Sequence, residues 1–378
     1  MILNPEATTD PAQDSQAGFT RPVLKVLGLG GGGCNAVARM IELGLKGVDF
    51  IAANTDRQVL LSNPAETKIL LGPEVTRGFG AGGEPERGRQ AAEESRAELE
   101  AALAGADMVF LTAGMGGGTG TGSIPVVAEM ARSLNAVTVA IVTMPFTFEN
   151  GRRMKNANEG LVRLRQHTHT LITIPNDRLL EISPQKLPIE TSFRLADDVL
   201  RQSVQGITEL ITLPGMINVD FAHIRRLILL GGGALMSIGQ AEGEGKSIRA
   251  LRQALHHPFM QNVSLDHAAG VIANFTGGKD LTLMEVQESL CELQAHTGSD
   301  TEIVMGVIND DGWEGRTQVI LLVTGIGGTP LDLRPAEQAL ASSQKAAPLA
   351  GSSYAPAWQP SGVTGSTSSL PYYSRRQP

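Results

Sequence analysis

Two glycine-rich stretches hold the residue types and spacings that can do chemistry in this 378-residue chain. The first is Gly28-Leu29-Gly30-Gly31-Gly32-Gly33-Cys34-Asn35, set between an apolar run and an amphipathic pattern. Glycines let the backbone approach a phosphate, and a helix that starts there supplies N–H donors and a positive dipole end. Gly28, Gly30 and Gly33 also fit G-x-G-x-x-G, the dinucleotide fingerprint, and Asp56 follows where a ribose-binding acid would sit. The second stretch, Ala113-Gly114-Met115-Gly116-Gly117-Gly118-Thr119-Gly120-Thr121-Gly122, changes that reading. A nicotinamide-dependent oxidoreductase needs one such cradle. Two cradles at one sheet edge suit a single mononucleotide with several phosphates, met by N–H groups and by the Thr119 and Thr121 hydroxyls. The chain has no G-x-x-x-x-G-K-[ST], which excludes a P-loop enzyme.

Such loops need strands before them and helices after them. Val23–Gly28, Phe50–Ala53, Met108–Leu111, residues 137–143 and Leu171–Ile174 read as strands. Helical segments separate them, notably 84–105, which implies βαβ units and a parallel sheet covered on both faces. A long amphipathic helix is predicted over 189–213, with Ala196, Leu200, Val204, Ile207 and Ile211 on one stripe and Pro214-Gly215 as its stop. A smaller α+β region follows, with strands near 232–239, 269–276, 303–309 and 317–324 and a helix near 246–256.

Composition narrows the class. The chain is 42% hydrophobic and 19% charged, enough to bury a sizeable core. A net charge of −8 argues against a nucleic-acid partner. Cys34 and Cys291 lie too far apart in sequence for a CxxC metal motif or a disulfide framework, and no metal site is expected from the protein alone. No run approaches the ~18 apolar residues of a membrane span, and the polar start is unlike a signal peptide, so a cytoplasmic protein without direct membrane insertion is expected. All three tyrosines and one of two tryptophans fall after residue 353, outside any core-forming pattern. Residues 335–367 are too poor in apolar side chains to bury a core and read as a disordered linker.

The string G-G-G-T-G-T-G resembles the signature of the tubulin/FtsZ superfamily, and from about residue 22 to 328 the chain resembles its FtsZ family of bacterial cell-division GTPases. Further matching segments are NAVARMIELGLKGVDFIAANTD (35–56), TRGFGAGGEPERG (76–88), MPFTFENGRRM (144–154), TLITIPNDRLLEI (170–182), VQGITELITLPGMINVDFA (204–222) and GEGKSIRA (243–250). The resemblance implies a Rossmann-like α/β GTPase domain (21–188), a central connecting helix (189–213) and a C-terminal α+β domain (214–328). A flexible arm (1–20), a linker (329–367) and a terminal partner-binding peptide (368–378) would flank them. It implies GTP/GDP with Mg2+ at the phosphates, and head-to-tail self-assembly at the mid-cell division site.

Residue roles follow from the same resemblance. Gly31, Gly32, Gly33, Cys34 and Asn35 would line the phosphate and sugar side of GTP. Ala81 and Gly82 would lie nearest the γ-phosphate, and Gly118, Thr119, Gly120 and Thr121 would contact the phosphates from the second loop. Glu149 and Arg153 correspond to a ribose- and phosphate-contacting pair, Phe193 to a purine-stacking ring, and Asp197 to the acid that reads guanine. Without the family, Glu149 and Arg153 are an ordinary helix ion pair, Phe193 a core ring, and Asp197-Asp198 a charged helix face. Cys34 reads as small packing, although a helix N-terminus can lower a thiol pKa.

The sequence departs from the family in two places. Family members complete hydrolysis in trans with an N-x-D-x-x-D loop, which here reads Asn218-Val219-Asp220-Phe221-Ala222-His223. A carboxylate accepts a proton from water, whereas imidazole accepts only when neutral. With Arg225 and Arg226 following, slowed hydrolysis is expected; the alternative is that Asp220 suffices or that His223 serves as the base. The other departure is the end of the chain, Ser369-Leu370-Pro371-Tyr372-Tyr373-Ser374-Arg375-Arg376. It resembles the family's terminal peptide without its leading acid. Leu370, Pro371, Tyr372, Tyr373, Arg375 and Arg376 would engage a membrane-tethering adaptor.

Overall fold

The computed structural model describes residues 21–149, 151–181, 188–213, 215–217, 219–230, 232–260 and 264–326. Its first half carries β1 (Leu24–Leu29), β2 (Asp49–Asn54), β3 (Thr67–Leu70), β4 (Met108–Gly114), β5 (Val137–Met144) and β6 (Thr170–Pro175). All pair in parallel, in the order β3-β2-β1-β4-β5-β6. β4 and β5 are buried at almost every position. A strand covered on both faces must be apolar throughout rather than at alternate residues, which is why these runs stood out in the sequence. β3 did not, because Thr67 and Lys68 face solvent on an edge strand of four residues.

The helices between these strands are α1 (Gly30–Glu42), α2 (Arg57–Ser62), α3 (Pro73–Thr76), α4 (Pro85–Glu94), α5 (Arg96–Leu103), α6 (Thr119–Ser133) and α7 (Gly151–His167). α8 (Asn176–Glu181) and α9 (Ile189–Thr212) follow β6. The helix expected over 84–105 is two, α4 and α5. They break at Ser95, whose buried hydroxyl accepts from Gly72 N at 3.0 Å and donates to Leu70 O at 3.2 Å. Satisfying the loop after β3 interrupts the helix there.

One face of the sheet packs Val37 and Met40 of α1 against Ala196, Leu200 and Val204 of α9. The other packs Ala91, Ile124, Val127 and Leu164 from α4, α6 and α7. The predicted stripe of α9 is buried at Ala196, Leu200, Val204 and Ile207, with Ile211 packed beside it. At ~1.5 Å per residue the 24-residue α9 is a rod of about 36 Å. The chain winds from β1 to β3 one way and from β4 to β6 the other. That reversal leaves a crevice beyond the carboxyl ends of β1 and β4, where ligands of open α/β sheets bind.

Beyond α9 come α10 (Phe221–Leu229), β7 (Gly233–Glu242), α11 (Lys246–Leu255), β8 (Gly270–Gly277), α12 (Leu283–Ala295), β9 (Glu302–Asn309) and β10 (Arg316–Ile326). β10 lies antiparallel between β7 and β8, and β9 runs parallel to β8 at the far edge. Two residue pairs, Leu171–Gly233 and Ile172–Ala234, join β6 to β7 and make one sheet of ten strands among the described residues. The strands and α11 were legible in the sequence; α10 and α12 were not. Among the described residues no helix is long and apolar enough to cross a membrane. The predicted arm (1–20), the linker (329–367), the terminal peptide and Asn218 lie outside the described residues.

Candidate functional site

The reversal point gathers the chemistry. Leaving β1, the chain turns directly into α1 at Gly30; leaving β4, it passes through residues 115–118 into α6. Two helix N-termini therefore open on one crevice, each presenting free main-chain N–H groups and a positive dipole end. The loops also touch. Gly30 is left-handed (φ +69°), and a methyl there would stand 2.7 Å from Gly120 N, so only glycine fits. Gly31 faces open space, where an added methyl would meet nothing within 4 Å, and Gly32 and Asn35 also reach the surface. Gly33 is pressed against the Thr112 carbonyl.

Cys34 turns the other way. Its Sγ donates to the carbonyls of Gly28 (3.7 Å) and Ala53 (3.6 Å), and burial pushes the thiol up to about 12. The thiol is inert packing, and only the Cys34 main chain faces the loop. Here desolvation outweighs the lowering effect of the hydrogen bonds to Ala53 and Asn54.

The second loop is braced by its threonines. Thr121 is buried and its hydroxyl accepts from Gly116 N at 2.8 Å, fixing the loop's shape. Thr119 is half-buried, with its hydroxyl 2.6 Å from that of Thr55 at the end of β2. Ala81 lies under Gly118, and Gly82 is exposed and left-handed (φ +62°). The segment is tied back by Gly80 N to Thr55 O at 3.1 Å. Asp56 does not point at a ribose: it caps α2, accepting from Gln58 N and Val59 N.

Glu149 and Arg153 are more than a solvated pair. The Glu149 side chain is 7% exposed; Oε1 accepts from Phe146 N at 2.8 Å and Oε2 meets Arg153 Nη1 at 2.8 Å. Phe193, 40% exposed, stands edge-on to buried Phe146 at 5.4 Å, and Phe146 stacks on Phe148 at 5.1 Å. These rings, from the loop after β5 and from α9, offer an aromatic surface to a planar base.

Asp197 and Asp198 separate cleanly. Asp198 pairs with Arg201 at 2.7 Å and accepts from Gln202. Asp197 has no hydrogen bond among the described residues, and burial raises its carboxyl to about 7 against the pull of Arg39 on α1. A half-buried acid with no hydrogen-bond partner among the described residues, near Arg39 of α1 and four residues from Phe193, is equipped to accept from a ligand's N–H groups.

Three residues escaped sequence reasoning. Asn176, after β6, is buried, and its Oδ1 has no hydrogen-bond partner among the described residues. Its signal, the TIPNDRLL string, was present in the sequence without a role attached. Thr55 and Asn156 join loops far apart in sequence, and no local pattern announces them. The loop expected to act in trans sits elsewhere. Asp220 caps α10 by accepting from Ala222 N at 3.1 Å, His223 is exposed on the first turn, and Ile217 bridges to Val307 of β9.

Residues 23–184 match the model for the tubulin/FtsZ family GTPase domain, and residues 232–327 that for the FtsZ family C-terminal domain. An empty FtsZ dimer from M. jannaschii is 44% identical, with a TM-score of 0.78, over 82% of this chain and 89% of that one. A tryptophan-to-tyrosine mutant of the M. jannaschii protein is likewise 44% identical, with a TM-score of 0.77, over 81% and 92%. CetZ2 from Haloferax volcanii, a GTPγS-bound protofilament, shares the fold at 20% identity and a TM-score of 0.70, over 85% and 100%. With both family segments in chain order and the glycine loops meeting at the switch point, the chain belongs to the tubulin/FtsZ family, in its FtsZ branch, and carries that family's GTP-binding GTPase domain.

Proposed function

We propose that this chain binds GTP in the crevice between β1 and β4, assembles head to tail with copies of itself, and hydrolyses GTP at a site shared by two copies. In this reading Gly31, Gly32, Gly33, Cys34 and Asn35 line the phosphate and sugar side of GTP, and Gly118, Thr119, Gly120 and Thr121 contact the phosphates from the second loop. Glu149 and Arg153 meet ribose and phosphate, Phe193 stacks on guanine, and Asp197 accepts from guanine N1–H and its exocyclic amine. Adenine has no donors at those positions, so GTP is preferred over ATP.

The observation that supports the shared site is the placement of Asp197 within α9 and of Asp220 after that helix's C-terminal end. From Asp197 to Thr212 the helix rises about 22 Å, and the chain reaches Asp220 only beyond that. In this reading a subunit does not bring Asp220 to the GTP that it binds itself, and a neighbour stacked end to end does. One oxygen of Asp220 caps α10, which leaves the other to orient the attacking water. Among the described residues no three acidic, histidine or cysteine side chains converge as a metal cage. Mg2+ would be held by the phosphates and its own waters, where it would neutralise charge on the polyphosphate. The cellular role follows the family: a cytoplasmic filament of the division ring at mid-cell, tethered by residues 370–376 to a membrane adaptor.

A second reading is a GTP-binding structural polymer with negligible hydrolysis. It is favoured by His223 at the second carboxylate position, exposed and followed by Arg225 and Arg226. Phosphate release measured against protein concentration, with sedimentation of the same samples, separates the readings. The shared site requires a per-molecule rate that rises from near zero above a critical concentration, and Asp220→Ala must cut turnover far more than GTP binding. A rate independent of dilution defeats it. Assembly without phosphate release selects the structural polymer.

A further inference from the structure

The face of α7 toward the second glycine loop carries Arg153, Asn156 and Gly160 at helical spacing. At Gly160 a methyl would come within 2.5 Å of Thr121 Cγ2. At Gly116, left-handed at φ +93°, a methyl would stand 2.8 Å from the Arg153 carbonyl. Helix and loop are thus seated directly on each other. Asn156, between those two contacts, reaches further. Its Nδ2 donates to Gly116 O at 3.4 Å and to Gly83 O at 3.3 Å. Both partners are main-chain carbonyls, so only the amide nitrogen can face them.

Gly83 ends the segment that begins at Arg77, in which Arg77, Gly78, Gly80, Gly82 and Gly83 all have positive φ. The start of the segment is anchored by main-chain bonds, Gly78 O from Arg57 N and Gly80 N to Thr55 O, both at 3.1 Å. At the other end Gly82 and Gly83 stand in open space. Two glycines in sequence give the main chain wide freedom, and Asn156 restrains it there from a neighbouring helix.

We propose that Asn156 is a positioning residue that presets the 81–83 segment against the second glycine loop and so sets the preference of the site for a nucleoside triphosphate over a diphosphate. The inference rests on the reading of Ala81 and Gly82 as the segment nearest the γ-phosphate. A segment held in place before the ligand arrives loses less freedom on binding. That advantage applies to the nucleotide whose last phosphate touches the segment.

The test compares GTP and GDP dissociation constants of the full chain, below its assembly concentration, for parent, Asn156→Leu and Asn156→Gln. Leucine keeps the branched outline and the number of heavy atoms and removes the donor. It should weaken GTP about three- to tenfold, the range of one neutral hydrogen bond, and leave GDP and the thermal midpoint unchanged. Glutamine restores a donor and should recover part of the loss. Without nucleotide, amide exchange over 79–84 should quicken in Asn156→Leu alone. A GTP-to-GDP ratio unchanged in Asn156→Leu overturns the proposal, as does equal weakening of both nucleotides. A parent that shows no GTP binding defeats the site reading itself, and that result appears before any variant is compared.

Discussion

GTP binding should weaken about tenfold between pH 8 and pH 6 through Asp197 alone. The carboxyl is raised to about 7 because burial disfavours its charge, with Arg39 only partly offsetting this. Guanine presents two donors to it, and a protonated acid turns an O–H toward them instead. The dissociation constant then scales with 1 + 10^(pKa − pH), a factor of about 1.1 at pH 8 and about 11 at pH 6. The terminal phosphate also gains protons in this range, so the comparison needs Asp197→Asn measured alongside. Nucleotide titrations at pH 6, 7 and 8 should give the parent a steeper dependence than the variant by that factor. Parallel curves would show that Asp197 is not read by the ligand. The sign reverses in the nucleotide-free protein. A raised carboxyl costs no stability below its unfolded value near 4, and the cost grows until pH reaches about 7. Asp197→Asn without nucleotide should therefore melt higher than the parent above pH 7, and an equal or lower melting point would contradict the burial argument.

Arg39→Gln removes the charge that holds the Asp197 carboxyl down, so the midpoint of the pH dependence should move upward; an unmoved midpoint separates the two groups. His223→Asp should raise turnover without tightening GTP binding, and a tenfold gain would equal about 1.4 kcal/mol of transition-state stabilisation. If that variant is no faster in phosphate release at matched polymer mass, the histidine does not limit the reaction. Deleting residues 335–378 should leave the thermal midpoint, GTP binding and sedimentation unchanged while abolishing binding to a membrane adaptor; loss of GTP binding would refute the linker assignment.

What could be read from the sequence was whatever depended on local pattern. β4 and β5 are mostly apolar, broken only by threonines, because both their faces are covered, and α9 repeats its buried residues at 3.6-residue spacing. The glycine loops announced themselves because close backbone approach excludes every other side chain. β3 was lost because an edge strand needs no continuous apolar run. The Ser95 break was lost because its cause, hydrogen bonds to Leu70 and Gly72, lies more than twenty residues away. α10 escaped because its cap, Asp220, was read for chemistry rather than as a helix start. Within the site, the sequence could not distinguish Asp197 from Asp198. Only the placement of Arg201 and Gln202 shows which acid is occupied and which is free. Asn156 illustrates the same limit, since both of its acceptors are glycine carbonyls with no sequence signature of their own.

The length of α9 has a further consequence if copies stack as proposed. A row of n subunits holds n nucleotides but completes only n − 1 sites. A pair would therefore run at about half the per-subunit rate of a long row, and short rows are penalised by arithmetic rather than by chemistry. The two ends of any row also differ in kind. One presents a bound nucleotide that no carboxylate can reach, and the other presents Asp220 with nothing to act on. Nucleotide at the first end stays intact until another subunit arrives, whereas the last subunit at the second end sits on a contact whose GTP can already be cleaved. Growth and loss would then differ between the ends, and a rigid helix within each subunit would set the direction of the row.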